Sequence, residues 1–328
     1  MRIRLLKRLA DALVGAALIA AMTPGFAQDF PNKPVRVITP FAPGNTLDQA
    51  LRIVGEKIKE AGGQPFLVEN KPGGAGFIAA QAGAQAAPDG YTLLLAGAGM
   101  MVLNPHTFTK LPYDPEKSYK PVTNFLGSAL VLAAHPSLPA NNLAELIAYA
   151  KANPGKLTFA SFTAGNSSHF AGVLFNQRAG IDMLHVPFNG TPPAVQNLVG
   201  GQVNTAYLPL LAVKQHVEAG RVKLLAVTSE KRSPLMPGVP TFEESGFPDL
   251  TLLTWAVLLA PAATPDAIVQ KLNADITRAL RSDEVRDKFR AMDFTPLPST
   301  PEEFTAMMRR DSKRWQEAVR LSGFKSAE

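Results

Sequence analysis

Apolar runs of period 2 and period 3.6 alternate along almost the whole chain, and that alternation leaves few folds open. Strand followed by helix, again and again, builds an α/β fold with much parallel sheet. Val35–Thr39 reads as a strand, and Leu47, Ala50, Leu51, Val54 and Ile58 then form one helical stripe stopped by Gly62-Gly63. "PFLVEN" is a second strand, followed by a "KPGGAG" turn, a small-residue helix to about Ala87, and the turn and strand of "PDGYTLLLAG". A Pro-rich connection leads to a long apolar strand, Phe125–Ala134. Asn142 then caps a helix with Glu145 three positions on, "LTFAS" is a strand, and "HFAGVLFNQRA" is a helix ended by Gly180. After the strand "MLHVPF", Thr191 reads as a cap with Pro192 at the first helical position. "VNTAYL", "VKLLAVTS" and "LTWAVLLA" are strands, and Thr264, Ser282 and Thr300 read as the caps of the last three helices. About 300 residues exceed one ordinary core. The pattern therefore predicts two α/β lobes, residues 28–129 with 257–328 in the first and 130–256 in the second. Strands cross between them near Phe125–Ala134 and Thr251–Ala260, and the last three helices return to the first lobe.

The first 27 residues stand apart. Arg2, Arg4, Lys7 and Arg8 precede the apolar run Ala12–Met22, and Gly25-Phe26-Ala27 ends in the small-x-small pattern that signal peptidase accepts. The run is too short to span a membrane. A leader cleaved after Ala27 places the mature chain in the periplasm. It also removes four bases and one acid, so the formal charge falls from +6 to +3. That is too little, and too scattered, for a nucleic-acid partner. The chain has no cysteine, which excludes disulfides, thiolate catalysis and cysteine-held metals.

Three stretches invite chemistry. "GAGFIA" (Gly74 to Ala79) matches a dinucleotide-binding turn, but it begins one strand late and no acid closes the next strand. "GNSSH" sets Ser167, Ser168 and His169 side by side, the residue types of a secreted serine hydrolase. Neighbours on a helix start point to different faces, and no G-x-S-x-G elbow is present. Five histidines occur without metal-ligand spacing. No catalytic residue, metal or cofactor is expected.

More telling are three strand ends that run through neutral turns into helix starts: "PFAPGNTLD", "SFTAGNSSH" and "PFNGTPP". Each exposes backbone N–H groups at the positive end of a helix dipole, and glycine clears the approach. A carboxylate fits there without a full counter-charge. In open α/β sheets, ligands sit beyond the carboxyl ends of the strands.

The blocks "FPNKPVRVITPFAPGNTLDQALR", "VENKPGGAGFIAA", "PDGYTLLLA", "YAKANPGKLTFASFTAGNSSHFAG", "HVPFNGTPPAVQNLVGGQV" and "LLAVTSEKRSPLMPGVPTFEESGF", in this order, resemble the periplasmic solute receptors of tripartite tricarboxylate transporters, the Bug family. The resemblance implies a type II periplasmic-binding-protein fold, a two-lobed Venus flytrap with a ligand cleft between lobes. It implies a monomer that binds a small carboxylate, and an integral-membrane permease that receives it. By that resemblance the first ligand loop is Phe41, Ala42, Pro43, Gly44, Asn45, Thr46 and Asp48, with Asp48 capping backbone N–H groups. The opposing loop is Thr163, Ala164, Gly165, Asn166, Ser167, Ser168 and His169, where His169 braces the loop or touches ligand. The chain departs from the family pattern at Asn45, at Phe188-Asn189 before Gly190, and at Leu208, where an Asp often faces the cleft. With Met100 and Trp255 added to the lining, these changes favour an aromatic or aliphatic mono- or dicarboxylate over amino acids and tricarboxylates. Trp255 is open to both readings, core or cleft. A same-fold sensor for a membrane kinase is the alternative to transport.

Overall fold

The computed structural model describes residues 30–324; the leader assigned to residues 1–27 lies outside the described residues. β1 (Val35–Thr39) has Val35, Val37, Ile38 and Thr39 buried, as a central parallel strand covered on both faces requires. It pairs in parallel with β2 (Phe66–Asn70) and β3 (Thr92–Gly97). Between β1 and β2 runs α1 (Thr46–Glu60). Asn45 caps it by accepting from the Leu47 N–H, and Ala50, Leu51, Val54 and Ile58 face the sheet. Gly62 then takes φ 83°, where a side chain would strain the turn. α2 (Phe77–Ala84) follows β2, and a wide helical turn (Gly99–Leu103) leads into the short α3 (Asn104–Thr107).

β4 (Tyr119–Ala134) carries the chain from one half to the other. Through Ala129 it pairs with β9 (Leu253–Pro261) and the short β10 (Thr295–Pro296). From Leu130 on, it pairs with β7 (Thr205–Pro209) and β8 (Lys223–Val227). Beyond β7 the second half is again parallel, β7 to β5 (Thr158–Ser161) to β6 (Leu184–Pro187). Its helices are α4 (Leu143–Ala152), α5 (Ser167–Ala179), α6 (Thr191–Val199) and α7 (Leu210–Glu218). The chain ends with α8 (Asp266–Leu280), α9 (Asp283–Ala291) and α10 (Pro301–Ser322).

Several expectations need correction. β4 starts at Tyr119, not Phe125; Pro121 is tolerated because the ladder to β9 slips register there. Thr191 is the first residue of α6 and Gly190, at φ 109°, occupies the cap; likewise Pro265, not Thr264, caps α8. Neither cap makes a side-chain hydrogen bond, so Thr before Pro misleads at these two helices, although Thr300 before Pro301 does cap α10. α3 and α7 follow their strands too tightly for any turn residue to announce them. The Thr300–Glu303 capping box on α10 forms in both directions, at 3.1 and 2.8 Å.

α8 and α9 pack back on α1, but α10 does not simply return to the first lobe. It lies across both halves, touching α3, the Gly99–Leu103 turn and β4 on one side and α5 on the other. One core runs continuously beneath it, from Leu94 through Trp255, Phe304 and Trp315 to Phe170 and Phe159. Separate cores lie under α1, α8 and α9, centred on Leu51, Phe125 and Phe289, and under α6 and α7, centred on Val131 and Leu198.

Candidate functional site

The carboxyl ends of β1, β2, β3, β5 and β7 all open on one cavity of about 760 Å³. The first half lines it with Phe41, Asn45 and Thr46 after β1, Ala75 and Gly76 after β2, and Gly97 to Met100 after β3. The second half contributes Phe162 to Asn166 after β5 and Pro209 to Leu211 after β7. Ser128 and Leu130 of β4 and Thr254 to Ala256 of β9 lie on its walls. No Lys, Arg or His is among the lining residues.

Local hydrogen bonding shapes both turns. In the first, Gly44 adopts φ 79° and donates its N–H to Asp48 Oδ2 at 3.0 Å. Asp48 also accepts from Arg52 and Asn70, and Asn70 donates to the Phe41 carbonyl at 2.9 Å. Burial pushes the Asp48 carboxyl up, but the bonds from Arg52, Asn70 and Gly44 and the Arg52 charge outweigh it, so the group sits below the usual range. Asp48 is therefore the brace of the turn and faces away from the cavity. The Ala42 and Thr46 N–H groups have no partner among the described residues.

Asn166 organises the second turn. Its Oδ1 accepts from the Ser168 N–H, the His169 N–H and the Ser168 hydroxyl. Ser168 Oγ in turn accepts from the Phe162 N–H at 3.2 Å. Ser168 is wholly buried and bonds to Asn166, not to His169, so the pair is no nucleophile and base. His169 Nδ1 accepts the Gly165 N–H at 3.2 Å, which puts the ring proton on Nε2. His169 stacks on His185 at 3.8 Å between ring centres, and burial lowers both rings to about 4, His169 also through the neighbouring imidazole. The N–H groups of Thr163, Ala164, Asn166 and Ser167 are left without partners among the described residues.

The structure thus brings Phe41, Asn45, Thr46, Met100, Thr163, Ala164, Gly165, Asn166 and Trp255 of the expected site to one cavity. Ala42, Pro43 and Gly44 lie on the outer, exposed side of the first turn, and Asp48, Ser167, Ser168 and His169 lie behind the two turns. The Asn189-Gly190 turn stays off the lining; Gly190 donates to the Phe162 carbonyl at 2.7 Å and clasps the second turn from outside. Leu208 is a correction. It is wholly buried opposite Val131, in the core under α6 and α7, because residues alternate faces along β7; its neighbours Pro209 to Leu211 reach the cavity.

Trp255 answers both readings at once. The residue borders the cavity, but its indole Nε1 donates to the buried Asp311 Oδ2 at 2.8 Å and its ring packs edge-on against Phe304. Replacing Trp255 by Phe removes the only side-chain donor bonded to Asp311 Oδ2 among the described residues. Burial already raises that carboxyl. Stranding it is expected to cost about 2–3 kcal/mol, read as a lower urea midpoint with unchanged slope. An unchanged midpoint would show the bond to be dispensable.

Lining residues that the sequence did not signal include Ala75, Gly76, Leu103, Phe108, Asp293 and Phe324. "GAGFIA" reaches the cavity, but as a tight turn with Gly76 at φ 89° against Met100, not as a dinucleotide loop. Phe324 arrives from the far end of α10. A smaller hollow of about 650 Å³ outside α5 and α10 is lined by charged side chains, Arg178 and Asp249 among them as an ion pair, and no strand-end residue is among its lining. Among the described residues no His, Asp and Glu gather as a metal site, and no helix is long and apolar enough to cross a membrane.

Two α/β halves joined by long strands, with strand-end turns facing one another across a cavity, form the two-lobed fold of periplasmic binding proteins such as BugD, which are solute-binding proteins and not enzymes. BugD shares 31% identity with this chain at a TM-score of 0.72, covering 91% of this chain and all of that one. Residues 50–324 match the model of the tripartite tricarboxylate transporter family receptor, and the chain belongs to that family. It is 34% identical to BugT of Bordetella pertussis over 313 residues, 95% of either chain. Among solved structures, an R. palustris protein with adipate shares 30% identity at a TM-score of 0.76, covering 91% of this chain and all of that one. MatC of Rhodopseudomonas palustris, with bound malate, shares 33% identity at 0.69, covering 88% of this chain and all of that one.

Proposed function

We propose that the chain is an exported periplasmic receptor that holds one small carboxylate between residues 28–129 with 257–328 and residues 130–256, and hands it to a membrane permease. The change of β4's pairing partners at Ala129 and Leu130 supports the first boundary; the second falls within β9. The observation that carries the reading is the pair of opposed turns, Phe41–Thr46 and Thr163–Ser167, whose unpartnered N–H groups at Thr46, Thr163, Ala164 and Asn166 belong to residues lining a mainly apolar cavity with no cation among its described lining residues. Backbone dipoles of this kind stabilise an anion without a counter-charge. Phe41, Met100, Leu103, Phe108 and Phe162 suit an aromatic or aliphatic body, and the ligands of the adipate and malate proteins are of the same carboxylate class. Delivery to a permease is what the family implies. Closure follows from differential binding: a ligand touching both turns stabilises the state that brings them together.

Thermal unfolding of the mature chain against a panel of aliphatic and aromatic carboxylates, after refolding to strip bound ligand, tests this. A ligand at a hundred times its Kd adds about 2.7 kcal/mol, a rise of a few degrees for a chain of this length. The shift is expected with the acid and absent with its methyl ester. Equal shifts for acid and ester would dispose of the carboxylate.

A further inference from the structure

Among the described residues, Asp293 is the one ionisable residue on the cavity wall. Its backbone explains how it gets there and why its identity is informative. α9 ends at Ala291, and beyond it the Asp293 N–H donates to the Arg290 carbonyl and the Phe294 N–H to the Phe289 carbonyl. That pattern is a Schellman close, in which the residue at Asp293 must be left-handed, and its φ is 54°. Glycine is the residue that adopts this conformation without strain. An aspartate stands there instead, half-buried, at the wall of a ligand cavity.

The carboxylate has one partner. Ser233, in the loop after β8, donates its hydroxyl to Asp293 Oδ1 at 2.9 Å. No described residue donates to Oδ2, and Oδ2 is not among the polar atoms sealed from solvent. Among the described residues, no Lys, Arg or His pairs with the group. Burial holds the carboxyl above its usual range, with the Ser233 bond pulling the other way. Oδ2 is thus an acceptor that no described residue satisfies, on a residue of a mainly apolar cavity wall, and a donor on the cavity's occupant can take the place of the water that meets it.

We infer that Asp293 forms a second recognition point in the cavity, one that takes a hydrogen-bond donor, hydroxyl or ammonium, carried on the ligand away from its carboxylate. This rests on the carboxylate reading of the two turns. It adds a requirement: the preferred ligand is a hydroxy- or amino-substituted acid, and a second carboxylate pointed at Asp293 is repelled. The same oxygen that welcomes a donor selects against a plain dicarboxylate in that orientation.

The test compares 3-phenylpropanoate, its 4-hydroxy and 4-aminomethyl derivatives, and the amide of the 4-hydroxy acid, by calorimetry on wild type, Asp293→Asn and Asp293→Gly. Wild type is expected to prefer the 4-hydroxy or 4-aminomethyl acid over the parent by 10-fold or more. Asp293→Asn keeps the bond to Ser233 but loses the charge, and should lose any preference for the ammonium. Asp293→Gly suits the left-handed turn, so it should fold at least as stably as wild type while losing all donor preference. Equal affinity of wild type for substituted and parent acids overturns the inference and leaves the carboxylate reading intact. Binding of the amide as tightly as the acid, with the donor preference still lost in Asp293→Gly, sinks the carboxylate reading and keeps Asp293. Loss of folding in Asp293→Gly, with preferences unchanged in Asp293→Asn, makes the residue purely structural and overturns the inference.

Discussion

Lowering the pH from 7 to 4.5 is expected to remove about 3–4 kcal/mol of folding stability through two imidazoles. His169 and His185 lie face to face at 3.8 Å, 10° from parallel, wedged between Phe170 and Phe159. Their other neighbours, Phe324 and Ser161, are uncharged as well. Among the described residues no carboxylate pairs with either imidazole, and burial lowers both rings from the ordinary 6.5 to about 4. A folded pKa below the unfolded one means that the unfolded chain binds more protons across the intervening range. The stability is thus complete above pH 6.5 and is lost as the pH falls toward 4. Each ring would contribute about 3 kcal/mol if fully shielded; partial exposure and coupling between the two reduce the sum. Urea titrations at pH 7.5, 6, 5 and 4.5 should show the midpoint falling, most steeply below 6. Asp48, whose carboxyl is held low, adds its own loss only below about pH 4, so it does not blur this window. Replacing His185 by Phe should keep the stack and flatten the slope by roughly half. A profile as steep as wild type would mean that other groups carry the acid sensitivity.

The pair also sits under the ligand-facing turn. His169 Nδ1 accepts from the Gly165 N–H, and His185 Nε2 donates to Ser161 Oγ, whose hydroxyl donates to the Thr163 carbonyl. Protonating His169 turns that acceptor into a donor facing another donor. In the folded protein that happens only near pH 4, so ligand affinity should hold while stability falls between pH 6.5 and 5, and drop only at the acid end of the window.

How much of this was legible in the sequence depended on whether the signal was local. β1 and α1 were readable because the periodicity and the Gly62-Gly63 stop lie within one element, whereas the Asn45 cap was read only as part of a ligand loop. The neutral turns were readable for the same reason, as composition at a strand end. What each turn residue does was less so. Asp48 carried its role in its place, one turn into a helix, whereas nothing in "GNSSH" says that Asn166 holds the hydroxyl of Ser168. Leu208 failed because a single position of slippage on a strand exchanges cavity for core. Asp293 and Phe324 were invisible because each reaches the cavity from a distant element, after α9 and after α10, and no spacing links them to the turns. α10 was assigned to one lobe because its apolar stripe cannot say that it covers two partners.

Replacing Gly165 by Ala should cost 10- to 100-fold in carboxylate affinity, about 1.4–2.8 kcal/mol. Two separate obstacles meet at this residue. Its φ is 75°, which a side chain tolerates only with strain, and an added Cβ would lie 2.7 Å from Phe324 Cζ and 3.1 Å from Cε2. The ring must move or the turn must. Either response alters the site, because Phe324 and Gly165 both line the cavity and the Gly165 N–H anchors the turn to His169. Gly44 is the control: φ is 79°, yet nothing lies within 4 Å of its added Cβ. Gly44→Ala should therefore show the backbone strain alone, about 1–2 kcal/mol of stability, with a smaller change in affinity. Phe324→Ala opens the space that Gly165→Ala needs, so the double variant should bind better than the sum of the two single losses predicts. That positive coupling is the sharpest readout, since it appears only if the ring and the turn press on one another. Additive losses would show that Phe324 does not support the second turn, and wild-type affinity in Gly165→Ala would remove that turn from the ligand site.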